Sequence, residues 1–459
     1  MNKISFNYKQ KISYSLAALP AWLVAAVYQV WVFTFYFSAI GLPIQYIMTA
    51  FIIWSIWNAV NDPVMGLLSD RTKTRWGRRK PYIMIGTIPL VIIMTITWLP
   101  PTGNITISFV YLLIMLFAYD TFETMIFVPH SCLFPELYTS AEERAEVNGY
   151  MIIFSVIGLI CAFVIAGFLI GEISVKEGYL INGIVVSAII GITLFISLKW
   201  GILEREEFKF DSEQNFSYFQ GIKYAFKNRA FMLYVIIILA FEYVQLLQAT
   251  IIPQYSKHVL GEEGAMEAGI MLGIMFIVGI VSIVFWEKLD LKIGSRSSFF
   301  IAILAYFLAS IPLLFVSNYI HGVITITIMG FGLGGLLYFS YLIIADIIDE
   351  DELKTGLRRE GTFYGIMLFF MRLAGVLTIL TISLVFTSTG WETYDPNPNI
   401  NVIFGLRVLI VIFPAIALGI MFICLYFFPF SKLRVMDIKK DLDNLHQKKR
   451  KRLTEKSHL

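Results

Sequence analysis

Asn58, Asn61 and Asp62 lie close together in an otherwise apolar run, and the four-residue spacing of Asn58 and Asp62 puts both on one helix face with Asn61 beside them. One carboxylate and two amide carbonyls make an oxygen-rich patch. Such oxygens suit a hard cation, Na⁺ or Li⁺, and Asp62 is equally a place for a proton. An aspartate at the centre of a membrane helix costs roughly 3 kcal/mol, so its presence calls for an ion or a partner. Asp120 and Glu123, three apart, share a face with Thr124 and Phe127. Two acids there repel one another when both are charged, which makes either a proton carrier, with Glu123 favoured because it directly precedes Thr124. Arg372, inside Phe369-Phe-Met-Arg-Leu-Ala-Gly375, is a permanent cation that demands a carboxylate partner. Asp62, Glu123 or Asp120 is expected to pair with it when no cation is bound. Glu242, Gln245 and Gln248 follow at three-residue steps and are expected to face a central cavity, with Trp22, Trp31, Tyr243 and Tyr364 as aromatic walls.

The elements that hold these groups follow from composition. Apolar residues make up 58% of the 459, with 39 Phe and 23 Tyr and a mean hydropathy of +0.73. That exceeds what a soluble core encloses, so the chain reads as a polytopic membrane protein. A span needs about 20 mostly apolar residues. Twelve stretches qualify: 12–38, 44–70, 81–100, 105–135, 146–171, 177–200, 229–256, 266–287, 297–317, 320–349, 361–388 and 400–430. The first is too long for the core of a signal peptide and reads as a retained helix.

Lys and Arg test this count, because they gather in alternate, cytoplasmic loops. They fill Lys3 to Lys11, Arg71 to Lys80, Arg205 to Arg229, Lys288 to Arg296, Lys354 to Arg359 and Lys432 to Lys456, with Arg144 between spans four and five. On the opposite side only Lys176 and Lys257 occur. Both termini are therefore expected in the cytoplasm of a multi-pass plasma-membrane protein. Cys132, Cys161 and Cys424 are an odd, scattered set without disulfide or metal spacing, and read as packing residues. The run Lys448-Lys-Arg-Lys-Arg452 is a basic cluster that either attracts an anionic leaflet or is simply solvated. No nucleophile–base pair, phosphate loop, metal cluster or nucleic-acid motif is present, which argues against an enzyme and against a nucleic-acid partner.

A repeat joins the halves. Asp70, Arg71, Arg75, Gly77 and Arg79 recur at one constant offset as Glu287, Lys288, Lys292, Gly294 and Arg296. With twelve spans and a long polar segment between the sixth and seventh, this predicts an all-α membrane protein of two pseudo-symmetric six-helix bundles. The expected division is 1–203, a central loop 204–228, 229–430 and a basic tail 431–459.

That architecture is the major facilitator fold, and the longer pattern Asn61-Asp-Pro-x-x-Gly66 followed by Asp70-Arg-Thr-x-x-Arg-x-Gly-Arg-Arg-x-Pro81 resembles the glycoside–pentoside–hexuronide:cation symporters. Ala345-Asp346-Ile-Ile-Asp349-Glu-Asp-Glu352-Leu-Lys354 with Arg358, Glu360 and Tyr364, and Pro129, Pro135-Glu136-Leu with Glu143-Arg144, agree with the same family. The resemblance implies cation-coupled symport of a sugar or glycoside by alternating access, with no cofactor beyond the coupling ion, Na⁺ or H⁺ (Li⁺ as a further option). It implies a monomer whose partners are a small-molecule substrate and membrane lipid.

By the same resemblance, Asp62 stands where the family keeps a cation-coordinating carboxylate, and Asn61 and Thr124 match residues near the cation. Asn58 replaces a second carboxylate. Arg372 falls at or near a lysine that links ion and substrate sites. The family's polar sugar anchors fall at Trp22, Phe127 and Ile152, so all three are missing and galactoside specificity does not carry over. Trp22, Phe127, Glu242, Gln245 and Tyr364 form the expected substrate set, for a glycoside or for an amphipathic solute such as a lysolipid. A transport-dead membrane sensor is the remaining alternative. Asp70, Arg71, Arg75, Gly77, Arg78 and Arg79 are expected to close the cytoplasmic side against Asp346, Asp349, Glu352 and Arg358, with Gly66 and Gly77 allowing close backbone approach.

Overall fold

Asparagine starts three of the membrane helices for one physical reason. The first amides of a helix have no internal acceptor, and the side-chain oxygens of Asn104, Asn228 and Asn399 each accept from the two amides two and three residues on. The computed structural model describes residues 6–72, 74–138, 141–202, 228–355 and 360–457.

Within them the chain is helical: α1 (Tyr8–Ala39), α2 (Ile44–Arg71), α3 (Lys80–Ile96), α4 (Ile105–Leu137), α5 (Glu142–Ile170), α6 (Lys176–Gly201), α7 (Arg229–His258), α8 (Ala265–Ile293), α9 (Ser295–Leu314), α10 (Tyr319–Thr355), α11 (Glu360–Ser388), α12 (Ile400–Tyr426) and α13 (Lys432–Ser457). Ten are long and apolar enough to cross a membrane. Of the other two expected spans, α3 is a shorter apolar helix and α2 carries the polar patch. All twelve expected stretches contain a helix, although α3, α9 and α12 stop at Ile96, Leu314 and Tyr426, short of residues 100, 317 and 430. Among the described residues the only extended pairings are two isolated bridges, Thr74 with Gly77 and Glu172 with Gly264.

The helix pairing repeats from one half to the next. α4 packs on α2 and α3, and α10 packs on α8 and α9; α1 meets α5 as α7 meets α11; α3 meets α6 as α9 meets α12. Across the halves α1 touches α7, α2 touches α11 and α5 touches α8. The loop repeat has a backbone counterpart: Gly77 (φ +104°) and Gly294 (φ +89°) both turn through the left-handed region, where a side chain is strained. At Gly66, by contrast, no atom of the described residues comes within 4 Å of a Cβ built there, so the expected close approach is not found among them.

Close approach is found in the second half instead. A Cβ on Gly334 of α10 would overlap the Gly279 carbonyl oxygen of α8, so the two backbones touch. Gly279 is the repeat counterpart of Asp62, and on this face α8 packs backbone against α10 instead of carrying an acid.

The tail differs from a simple solvated extension. It forms α13, whose Ile438 is buried and whose first turns lie on α10. Lys432 Nζ donates to the Leu291 and Lys292 carbonyls at 2.8 and 3.1 Å, capping the C-terminal end of α8. Arg434 reaches Glu350 at 3.3 Å and Lys439 reaches Asp346 at 3.9 Å. Asp346, expected as a gate acid against the first half, therefore faces the tail of its own half. The side chains of Lys448 to Arg452 lie outside the described residues.

Candidate functional site

α2 and α4 lie side by side, and their polar residues meet in a ladder. Trp57 Nε1 donates to Thr121 Oγ1 at 3.2 Å; at the adjacent positions Asn58 Nδ2 donates to Asp120 Oδ1, and Asn61, about one turn further along α2, donates from Nδ2 to the Asp120 carbonyl and Oδ2, both at 3.0 Å. Thr124 Oγ1 then donates to Asp62 Oδ1 at 2.8 Å. Asn58, Asn61, Asp120 and Thr124 are all buried.

This corrects the expected chemistry of the asparagines. Both amides point their NH₂ groups at Asp120 rather than offering two carbonyls beside Asp62, because a buried carboxylate must be matched by donors. The site consequently holds two carboxylates on two helices, and the second, Asp120, replaces in space the negative charge missing at Asn58. The Asn58 Oδ1 atom is buried without a hydrogen-bond partner among the described residues. Pro63, inside α2, has no N–H and so leaves the Ala59 carbonyl without its helical donor next to Asp62.

Across the halves, Arg372 of α11 donates from Nη2 to Asp62 Oδ2 at 2.7 Å. Of the three acids expected as its partner, Asp62 is the one it touches, while Glu123 and Asp120 act on it only through the electrostatic field. The Asp62 and Arg372 side chains keep 26% and 41% of their surface, so the pair can be reached from outside rather than being sealed in.

The expected substrate residues divide. Trp22 and Tyr364 are exposed, at 50% and 40%, and Glu242 feels the charge of Arg372. Phe127 packs against the apolar core, and Gln245 buries an amide nitrogen that has no partner. Three other expected cavity residues are built into the scaffold. Gln248 donates to the Ile410 carbonyl at 2.9 Å and accepts from Tyr306; Trp31 is fully buried and donates to the Ala162 carbonyl at 2.8 Å; Tyr243 donates to Thr381 Oγ1 at 2.9 Å. Helices apolar all round give no sequence signal of which side faces a cavity.

Of the gate set, Arg75 lies over the Trp76 ring at 4.4 Å and Arg79 is buried. Lys80 donates to the Ile202 carbonyl at 3.1 Å near the end of α6, and Arg296 donates to the Leu425 carbonyl at 3.1 Å and to that of Tyr426 at the end of α12. Each loop is thus anchored on the last helix of its own half. Arg78 and Asp349 have partners of their own. Arg358 and the side chains of Asp70 and Arg71 lie outside the described residues.

The sequence reading missed a set at the end opposite the termini. Lys257 of α7 contacts Glu172, between α5 and α6, at 3.3 Å and Glu263, between α7 and α8, at 2.9 Å. The signal was present: Lys257 is one of the few basic residues toward the side where positive charge is sparse, with Lys176 and Arg407.

A family described as MFS/sugar transport protein matches residues 13–432, nearly the whole chain and both halves of the ladder. The chain belongs to that family. Within the family it is a glycoside–pentoside–hexuronide:cation symporter-type protein of the major facilitator superfamily. It is 24% identical to the sodium-dependent lysophosphatidylcholine symporter 1-A of Danio rerio over 81% of this chain and 76% of that one. It is 21% identical to the isoprimeverose transporter of Lactiplantibacillus pentosus over 98% and 93%. Among solved structures, the D-xylose-proton symporter superposes with a TM-score of 0.64 at 13% identity, covering 91% of this chain and 97% of that one, which shows the major facilitator fold. Members of this family are transporters, not enzymes.

Proposed function

We propose that this protein couples transport of a sugar or glycoside to Na⁺ or H⁺ by alternating access, with the coupling cation as co-substrate at Asp62. The observation that carries the reading is the bond from Arg372 to Asp62 across the two halves, with Thr124 on the other carboxylate oxygen. Asp62, Asp120, Thr124, the free Oδ1 of Asn58 and the Ala59 carbonyl are hard oxygens of the kind that Na⁺ takes, with Asn61 holding Asp120 in place. A cation entering there competes with the guanidinium. Arg372 is then released toward the side of the site where Glu242, Trp22 and Tyr364 supply substrate contacts, and Glu123 joins Asp120 as a further acid within its field. One charge cluster serving two ligands is a coupling free energy, reciprocal by linkage.

Residues 1–203 and 229–430 are the moving halves in this reading, joined by 204–228, with 431–459 as the tail. The distribution of Lys and Arg supports cytoplasmic termini; the plasma membrane and the monomer are carried over from the family resemblance. Arg75, Gly77, Arg78, Arg79 and Asp349 belong to the cytoplasmic closure.

A second reading, transport of an amphipathic solute such as a lysolipid, is favoured by one observation. The positions of the family's polar sugar anchors hold Trp22, Phe127 and Ile152, of which Trp22 and Ile152 are about half exposed at 50% and 51%. Purified protein in proteoliposomes, given an imposed Na⁺ or H⁺ gradient and a panel of glycosides and lysolipids, separates the two. Cation flux elicited by a glycoside supports the first and by a lysolipid the second; no solute-dependent flux ends the symport reading.

A further inference from the structure

The end of the molecule opposite the termini is held shut by contacts between the halves. Gln254 Nε2 of α7 donates to Ser38 Oγ of α1 at 2.7 Å, both residues buried, and the Ile44 amide donates to the Glu392 carbonyl at 2.8 Å. Phe37 packs against Phe386 and Trp391 with ring centres 5.1 and 5.0 Å apart. The Ala265 amide donates to the Gly171 carbonyl, and Glu172 pairs with Gly264 as an isolated bridge. Over this seam lies Lys257, whose side chain keeps only 6% of its surface while its two acids keep 48% and 76%.

The asymmetry of those two acids matters. Glu172 belongs to the first half, so its contact with Lys257 must break when the halves part here. Glu263 belongs to the same half as Lys257 and is joined to it by a short stretch of chain, so its contact survives. An enclosed ammonium left without any acid would make separation costly. We propose that Lys257 is shared by two acids in the closed form and released by one of them during alternating access: Glu172 adds its contact only while this end is closed, and Glu263 keeps the ammonium compensated while this end is open. Glu172 is the latch and Glu263 the resting partner, so the two carboxylates act on the closed–open balance with opposite signs. The proposal rests on the alternating-access reading for its role, although the contacts themselves do not depend on which solute is carried.

Amide exchange in the full-length protein, reconstituted in neutral-lipid discs without solute, reads this balance through the Ala265 amide, whose acceptor Gly171 lies on the other half. Glu172→Gln removes the latch, and exchange around Ala265 speeds up by about two- to five-fold, the range for an ion pair with one exposed partner. Lys257→Gln acts in the same direction. Glu263→Gln, which strips the open form of its resting partner, slows exchange by a similar factor. Unchanged exchange in the middle of α10 shows that each variant is folded. The proposal is overturned when Glu172→Gln and Glu263→Gln shift exchange in the same direction, or when neither moves it. Opposite shifts with no solute-driven cation flux in liposomes leave the latch standing and remove symport. Flux without the opposite shifts does the reverse.

Discussion

Arg372 and Asp62, 310 positions apart in the chain, meet through a 2.7 Å hydrogen bond that ties α11 to α2. The bond spans the boundary between the halves and uses one carboxylate oxygen, while Thr124 of α4 takes the other. Any ion that draws on Asp62 must therefore compete with a group from the opposite half. That is the physical basis of the coupling proposed above.

Asp62→Asn keeps the shape of the site and removes its charge. Gradient-driven accumulation in proteoliposomes should fall to the level of empty vesicles for every solute in the panel. Retained accumulation would place the coupling ion elsewhere.

A double-mutant cycle on Asp62→Asn and Arg372→Gln should be non-additive. The pair is only partly enclosed, so solvent screens it, and the coupling in thermal unfolding without cation is expected near 1 kcal/mol. At saturating coupling cation that term should shrink toward zero, because the cation has already displaced the guanidinium. A coupling term indifferent to cation would show a purely structural pair.

Asn61→Ala leaves Asp120 without two of its hydrogen bonds in a buried position. The expected loss of stability is about 1–3 kcal/mol in reversible unfolding. Asn61→Asp should cost more, since it sets a second acid against the first. Equal stability of the wild type and Asn61→Ala would mean that water or another donor replaces the amide.

Gly334→Ala places a methyl group against the Gly279 carbonyl, and α8 must shift away from α10. Overpacking of this kind costs about 1–3 kcal/mol, read as a lower melting temperature in detergent. Gly375→Ala, where no atom lies within 4 Å, is the matched control and should be neutral or slightly stabilising.

Closure at the end opposite the termini should depend on pH only in acid. Hydrogen bonds from Ser174 and Lys257 hold the Glu172 carboxyl below its ordinary value of 4.5, with Glu263 and Tyr394 also facing Lys257. A depressed carboxyl pKa in the paired form means that its contribution to closure is fully present above 4.5 and is lost as pH falls through the lower, paired value. Exchange at Ala265, corrected for intrinsic rates, should be flat from pH 7 to 5 and rise below that, with Glu172→Gln flattening the acid limb. A midpoint near neutrality would point to another group.

The helices and the central ion pair were legible in the sequence for the same reason. Hydrocarbon tolerates neither unpaired backbone nor an unpaired charge, so length and rarity of charge both carry information. Orientation was not legible: the amides of Asn58 and Asn61 turn toward Asp120, a residue some 60 positions away whose placement depends on how α2 and α4 pack. Trp31 and Gln248 failed as cavity residues because apolar helices hide their facing, and hydrogen bonds to the Ala162 and Ile410 carbonyls consume them. Helix α13 was concealed by its charge, although Val435, Ile438 and Leu442 recur at helical steps. Glu172 and Glu263 looked like ordinary loop acids until folding brought Lys257 between them.

The docking of α13 also has a temporal side. A ribosome makes Asp346 and Glu350 well before it makes Lys439 and Arg434, so during synthesis the acids of α10 enter the bilayer interface without these partners. The second half is therefore finished by a segment that never crosses the membrane. Loss of that segment should be felt in biogenesis, as retention and degradation of the nascent chain, before it is felt in transport.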